Sequence, residues 1–151
     1  MKRVPLVATL VVAILAVAAF VVRDQQASDK PAITVYKSPT CGCCTKWVVH
    51  LEENGFEVET TDMPNVTPMK QRLGLPQALS SCHTAVVGGY VVEGHVPADV
   101  IKRMLDEEPE IAGIAVPGMP IGSPGMEGPN PRPYDVIAFK KDGAQEVFAS
   151  R

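Results

Sequence analysis

Three of the four cysteines in this chain fall within four residues, in the run Cys41-Gly42-Cys43-Cys44, and the fourth is Cys82. A structural disulfide needs only two sulfurs. Three thiols together offer a thiolate pocket for a soft metal, or an attacking and a resolving thiol for exchange. Four cysteines in a small exported domain form two structural bridges by default. Adjacent Cys43 and Cys44 argue against that default, because a vicinal disulfide is strained and the domain is large enough to need no staple. Metal binding and redox exchange both require accessible sulfur.

The elements around the run place it at a strand-to-helix turn. Ile33-Thr34-Val35-Tyr36 is β-branched and aromatic and predicts a buried strand, while Thr45 to Asn54 carries Trp47, Val48 and Leu51 at helical spacing with Gly55 as a stop. Phe56 to Thr60 alternates as a second strand, and Val66 to Leu73 predicts a short helix. Thr84–Val87 and Tyr90–Val92 flank Gly88-Gly89, a two-residue hairpin signal. From Pro97, the stripe Val100, Ile101, Met104 and Leu105 predicts a helix ending before Pro109. The order is β-α-β-α-β-β-α. Gly113 to Pro133 holds five Gly and six Pro, which predicts an ordered loop or lid without regular structure. Tyr134–Phe139 and Gln145–Phe148 flank Lys141-Asp142-Gly143 and predict a second hairpin at the domain edge.

At 151 residues the chain has room for one domain with a single core. Its 14 basic and 17 acidic residues give a formal charge of -3 without a basic stripe, which disfavours nucleic acid as a partner. Met1-Lys2-Arg3 followed by the apolar stretch Val4 to Val22 reads as an export signal, cleaved or retained as an anchor. Residues 1–22 are thus a signal peptide or membrane anchor, 23–31 a polar linker, and 32–149 the working domain. That domain is expected to be periplasmic or otherwise extracytoplasmic, touching a membrane only through the N-terminal segment.

A β-α-β-α-β-β-α order with cysteines at the first strand-to-helix turn resembles the thioredoxin-like fold over Ile33 to Asp106, with an added C-terminal loop and hairpin. Cys41 and Cys44 then have the CxxC spacing of its redox site. A helix N-terminus aimed at these sulfurs would stabilise thiolate and lower its pKa. Where thioredoxin-like proteins usually carry a cis-proline, this chain reads Ser81-Cys82-His83-Thr84. By fold analogy Cys82 joins Cys41, Cys43 and Cys44 in a four-thiol cluster.

The combination of CxCC, Ser81-Cys82-His83 and the loop Val116-Pro117-Gly118-Met119-Pro120-Ile121-Gly122-Ser123-Pro124-Gly125-Met126-Glu127 closely resembles the CopG-type family of exported copper proteins. The resemblance runs from Ile33 to Phe148. It implies Cu(I) held by the matching cysteines, as one ion or as a multinuclear thiolate cluster, and a role in copper homeostasis or resistance. Independently, thiolate and thioether are soft ligands that select Cu(I) over hard cations. Zinc sites of four cysteines usually draw on two separated pairs, whereas vicinal Cys43-Cys44 suits bridging thiolates. Two rivals stay open. One is a thiol-disulfide oxidoreductase, in which Cys41 attacks and Cys44 resolves. The other is a chaperone handing Cu(I) to a periplasmic copper-handling or redox partner without turnover.

Among the remaining candidates, His83 follows Cys82 and reads as a ligand, a general acid for thiol exchange or a plain turn residue, with involvement favoured because imidazole suits copper. His50 lies seven residues from Cys43, about 10 Å along a helix axis, too far to share one ion. His95 reads as a surface or capping residue. Met119 and Met126 sit in the Gly-Pro loop rather than on an apolar stripe, so one of them is expected to approach copper. Met104 and Trp47 read as core, and Asp106-Glu107-Glu108 as a solvated helix end.

Overall fold

The computed structural model describes residues 30–151, and Pro31–Arg151 forms one compact unit. The expected signal or anchor at 1–22 and most of the linker lie outside the described residues. No described helix is long and apolar enough to cross a membrane.

The elements run β1 (Ala32–Lys37), α1 (Gly42–Glu53), β2 (Glu57–Asp62), α2 (Thr67–Arg72), a 3-10 turn (Gln77–Leu79), β3 (Thr84–Val87), β4 (Tyr90–Glu93), α3 (Ala98–Glu107), β5 (Gly113–Ala115), β6 (Asp135–Phe139) and β7 (Gln145–Ser150). One seven-stranded sheet has the order β2-β1-β3-β4-β5-β6-β7. β1 pairs parallel with β2 and antiparallel with β3, and β4 pairs parallel with β5. The expected β-α-β-α-β-β-α order is therefore present, in a mixed α/β architecture.

Side chains alternate across a pleated strand, and the sheet uses both faces. Val92, Ile114 and Ala138 join the main core with Trp47, Leu51, Ile101 and Met104 of α1 and α3. Their chain neighbours Val91, Ala115 and Phe139 pack on Leu79, Leu73 and Leu75 instead. Trp47 and Met104 are core residues, as their spacing implies. Gly88 and Gly89 both have positive φ, 56° and 85°, as a tight primed hairpin turn requires.

The segment from Gly113 departs from expectation. Its first three residues are not loop but β5, fully buried between β4 and β6. The Gly-Pro content governs the chain after Val116, whereas Gly113-Ile114-Ala115 is held by pairing with strands remote in sequence. The C-terminal hairpin forms as expected, with β7 at the sheet edge.

Candidate metal centre

α1 begins three residues before the periodicity implied, at Gly42, so Cys43 and Cys44 occupy its first turn and Cys41 its N-cap. The Cys41 sulfur accepts the backbone N–H of Cys44 at 3.3 Å, satisfying one of the donors a helix start leaves free. Cys41 and Cys44 are joined in a disulfide, while Cys43 and Cys82 are free thiols. The CxxC pair is thus the one that closes, and the pattern of two structural bridges is not formed. Cys43 Sγ lies 3.5 Å from Cys41 Sγ.

Cys82 arrives from the turn before β3. The sulfurs of Cys41, Cys43, Cys44 and Cys82 all lie within 4.8 Å of one another, a grouping able to hold a metal. A second grouping of the same compactness consists of Cys82, His83 and His95. Cys82 is common to both, with its sulfur 3.3 Å from His83 Nδ1 and 3.1 Å from His95 Nε2.

His95 corrects the sequence reading. It is neither exposed nor a cap but fully buried, with its ring 4.9 Å from that of His83. Its Nδ1 donates to the Pro124 carbonyl at 2.7 Å, which leaves the Nε2 lone pair facing Cys82. A ring nitrogen tied to a carbonyl on one side and open on the other is the usual preparation of a histidine ligand. No local signal marks this role, since the carbonyl that orients the ring comes from a loop far along the chain.

His83 is buried beside Trp47, whose ring centroid lies 4.3 Å away, and its Nε2 has no hydrogen-bond partner. An orphaned buried nitrogen is costly and fits a site whose polar groups serve a metal. Burial holds the His83 imidazole well below its ordinary pKa, with nearby His95 and Lys70 acting in the same direction. Burial also lowers His95, opposed by its bond to Pro124. Both rings are therefore neutral at neutral pH and able to ligate.

At Cys82 the thiol pKa moves opposite to the lowering expected of the helix-start sulfurs. Burial, followed by the adjacent Cys43 sulfur, pushes it up to about 11. The cause is its position beneath the helix start rather than on it, in a partly desolvated pocket next to another sulfur. A metal binding there must displace its proton.

His50 stands apart from both groupings, as its spacing implies. Its Nε2 accepts the backbone N–H of Ala98 at 3.1 Å and so caps α3. Trp47 floors the site and anchors it to the segment between β4 and α3, its indole N–H donating to the Val96 carbonyl at 2.8 Å.

The Gly-Pro loop lies against the centre. Pro124 holds His95, and Gly125 sits where an added Cβ would come within 2.7 Å of the Cys43 carbonyl oxygen and 3.3 Å of His95 Nδ1. Of the two loop methionines, Met119 is 53% exposed, whereas Met126 is half-buried and follows Gly125 directly.

Fold and site define a mixed α/β protein with a cysteine- and histidine-lined centre suited to a soft metal. Residues 79–126 match a family described as "Protein of unknown function, DUF411". Two solved structures, titled "Copper resistance protein copG- Form 2" and "Form 1", each share 44% identity with the chain and cover 82% of it. The alignments cover 99% and 98% of those proteins, with TM-scores of 0.77 and 0.76. No curated protein matches the sequence. The chain belongs to the CopG family of copper resistance proteins, and its function is copper-related.

Proposed function

We propose that the protein binds Cu(I) through Cys41, Cys43, Cys44 and Cys82 as a multinuclear thiolate cluster, with His83 and His95 completing it on the Cys82 side. The observation that carries this reading is the gathering of four sulfurs within 4.8 Å. Four thiolates including a vicinal pair can bridge several soft ions, and the neutral imidazoles add nitrogen ligands without charge. Met126 is the thioether better placed to approach copper, because Met119 faces solvent.

The β2-β1-β3-β4 part of the sheet, with its CxxC pair at the β1–α1 turn, supports a thioredoxin-like reading. Closure of the Cys41–Cys44 disulfide from two thiols releases two electrons and two protons, enough to take two Cu(II) ions to Cu(I). The same closure withdraws two thiolates and leaves Cys43, Cys82 and the imidazoles. The protein therefore sequesters copper when reduced and exchanges electrons with it through the CxxC pair, contributing to copper resistance outside the cytoplasm. The basic start and apolar stretch of residues 1–22 support that location. A periplasmic copper-handling or redox protein would reset the pair.

The disulfide also supports a second reading, thiol-disulfide exchange on a protein substrate with Cys41 attacking and Cys44 resolving. Anaerobic titration of the chain with Cu(I) against a competing chelator separates the two. The reduced chain is expected to take up more than one Cu(I), and the disulfide form fewer. Equal, negligible uptake by both forms would favour exchange alone.

A further inference from the structure

The turn Ser81-Cys82-His83 carries the sulfur shared by both ligand groupings, yet it has no proline, and no cis peptide bond occurs among the described residues. What holds it is a buried ion pair. Lys70 of α2 and Glu93 at the end of β4 are 7% and 0% exposed and bond directly to one another. Lys70 is the one buried residue of an otherwise solvated helix. Taking two opposite charges out of water is so costly that apolar residues of similar size would serve stability as well or better, so the pair calls for a role beyond stability.

Its remaining bonds supply one. Glu93 Oε1 accepts the backbone N–H of Ser81 at 2.5 Å, and Lys70 Nζ donates to the Ser81 carbonyl at 3.1 Å. The Ser81 hydroxyl donates to the Gly118 carbonyl of the covering loop. Every polar group of Ser81 is thus engaged, from α2, from β4 and from the loop. Glu93 also stands two residues before His95, and its own carbonyl accepts the Val116 N–H at 3.0 Å where the loop departs.

We propose that Lys70 and Glu93 are positioning residues of the metal centre, clamping Ser81 from both sides so that Cys82 presents its sulfur to Cys43 and to the two imidazoles. The pair does by ionic hydrogen bonding what a rigid proline does in a turn, and leaves the cysteine free to ligate. This inference rests on the copper-binding reading above and adds the residues that hold its shared ligand in place.

The test uses the full chain, reduced and anaerobic, with Cu(I) and a competing chelator as the probe. Lys70→Met/Glu93→Leu keeps bulk but removes both anchors, and Lys70→Met/Glu93→Gln keeps an acceptor for the Ser81 N–H. Outer partners of ligands commonly set metal affinity by about 10–100-fold. The first variant is expected to bind Cu(I) about tenfold or more weakly at an unchanged melting temperature, with the second in between. A folded variant with the parent's affinity and stoichiometry would overturn the proposal. Amide exchange in the unaltered chain judges it without mutation: the Ser81 N–H should exchange as slowly as strand amides although it lies in a turn. Exchange as fast as that of exposed loop amides would equally overturn it. Failure of the parent itself to bind Cu(I) would refute the copper reading, while amide exchange would still judge the clamp.

Discussion

Cys82→Ser is expected to lower the Cu(I) bound per reduced chain as far as Cys43→Ser does, and to end saturation above one ion. Cys82 lies more than thirty residues from the CxCC run in sequence, yet its sulfur belongs to both ligand groupings and stands 3.1 Å from His95 Nε2. A serine hydroxyl is a hard oxygen that neither bridges soft ions nor ionises near neutral pH. The substitution is nearly isosteric at a partly exposed position, so the copper-free chain should melt within a few degrees of the parent. Copper stoichiometry by competition titration reads the effect. Unchanged stoichiometry would mean that the turn before β3 contributes nothing to the centre.

Gly125→Ala is expected to lift the covering loop from the site. Gly125 has φ +82°, and its added Cβ would meet the Cys43 carbonyl oxygen at 2.7 Å, Trp47 N at 3.0 Å and His95 Nδ1 at 3.3 Å. Two of those atoms are backbone of the first helix and cannot swing aside. A non-glycine residue in the left-handed region costs about 1–2 kcal/mol. Loss of the His95–Pro124 hydrogen bond adds about 1 kcal/mol. Together these lower the melting temperature by about 5–10 °C. With His95 no longer oriented and the cover displaced, transfer of Cu(I) to a chelator should accelerate about tenfold or more. Chelator-transfer kinetics and a thermal melt measure both effects. Parent-like values in both would show that the loop only fills space.

The first four strands and three helices were legible because their signals are local: β-branched runs, a helical stripe, and a Gly-Gly turn. The CxCC run could be placed at a helix start for the same reason. Three features were not legible, each for want of a local signal. β5 is a three-residue strand in a Gly- and Pro-rich stretch, and it exists only because β4 and β6 pair with it on either side. His95 follows a glycine after a hairpin, which reads as surface, yet it is buried and its ring bonds to Pro124 of the covering loop. Lys70 looks like any solvated helix residue until Glu93 is brought to it from another strand. The nearness of Cys82 to the CxCC run was legible only through resemblance to a known fold, since nothing in the spacing of the cysteines encodes it.

X-ray absorption at the copper edge of the reduced, Cu(I)-loaded chain tests the central claim most directly, because it reads ligand type and metal–metal neighbours together. A cluster bridged by Cys41, Cys43, Cys44 and Cys82 predicts a first shell dominated by sulfur, a minor nitrogen component from His83 and His95, and a resolved copper–copper vector. A first shell of nitrogen and oxygen alone, with no copper neighbour, would contradict it.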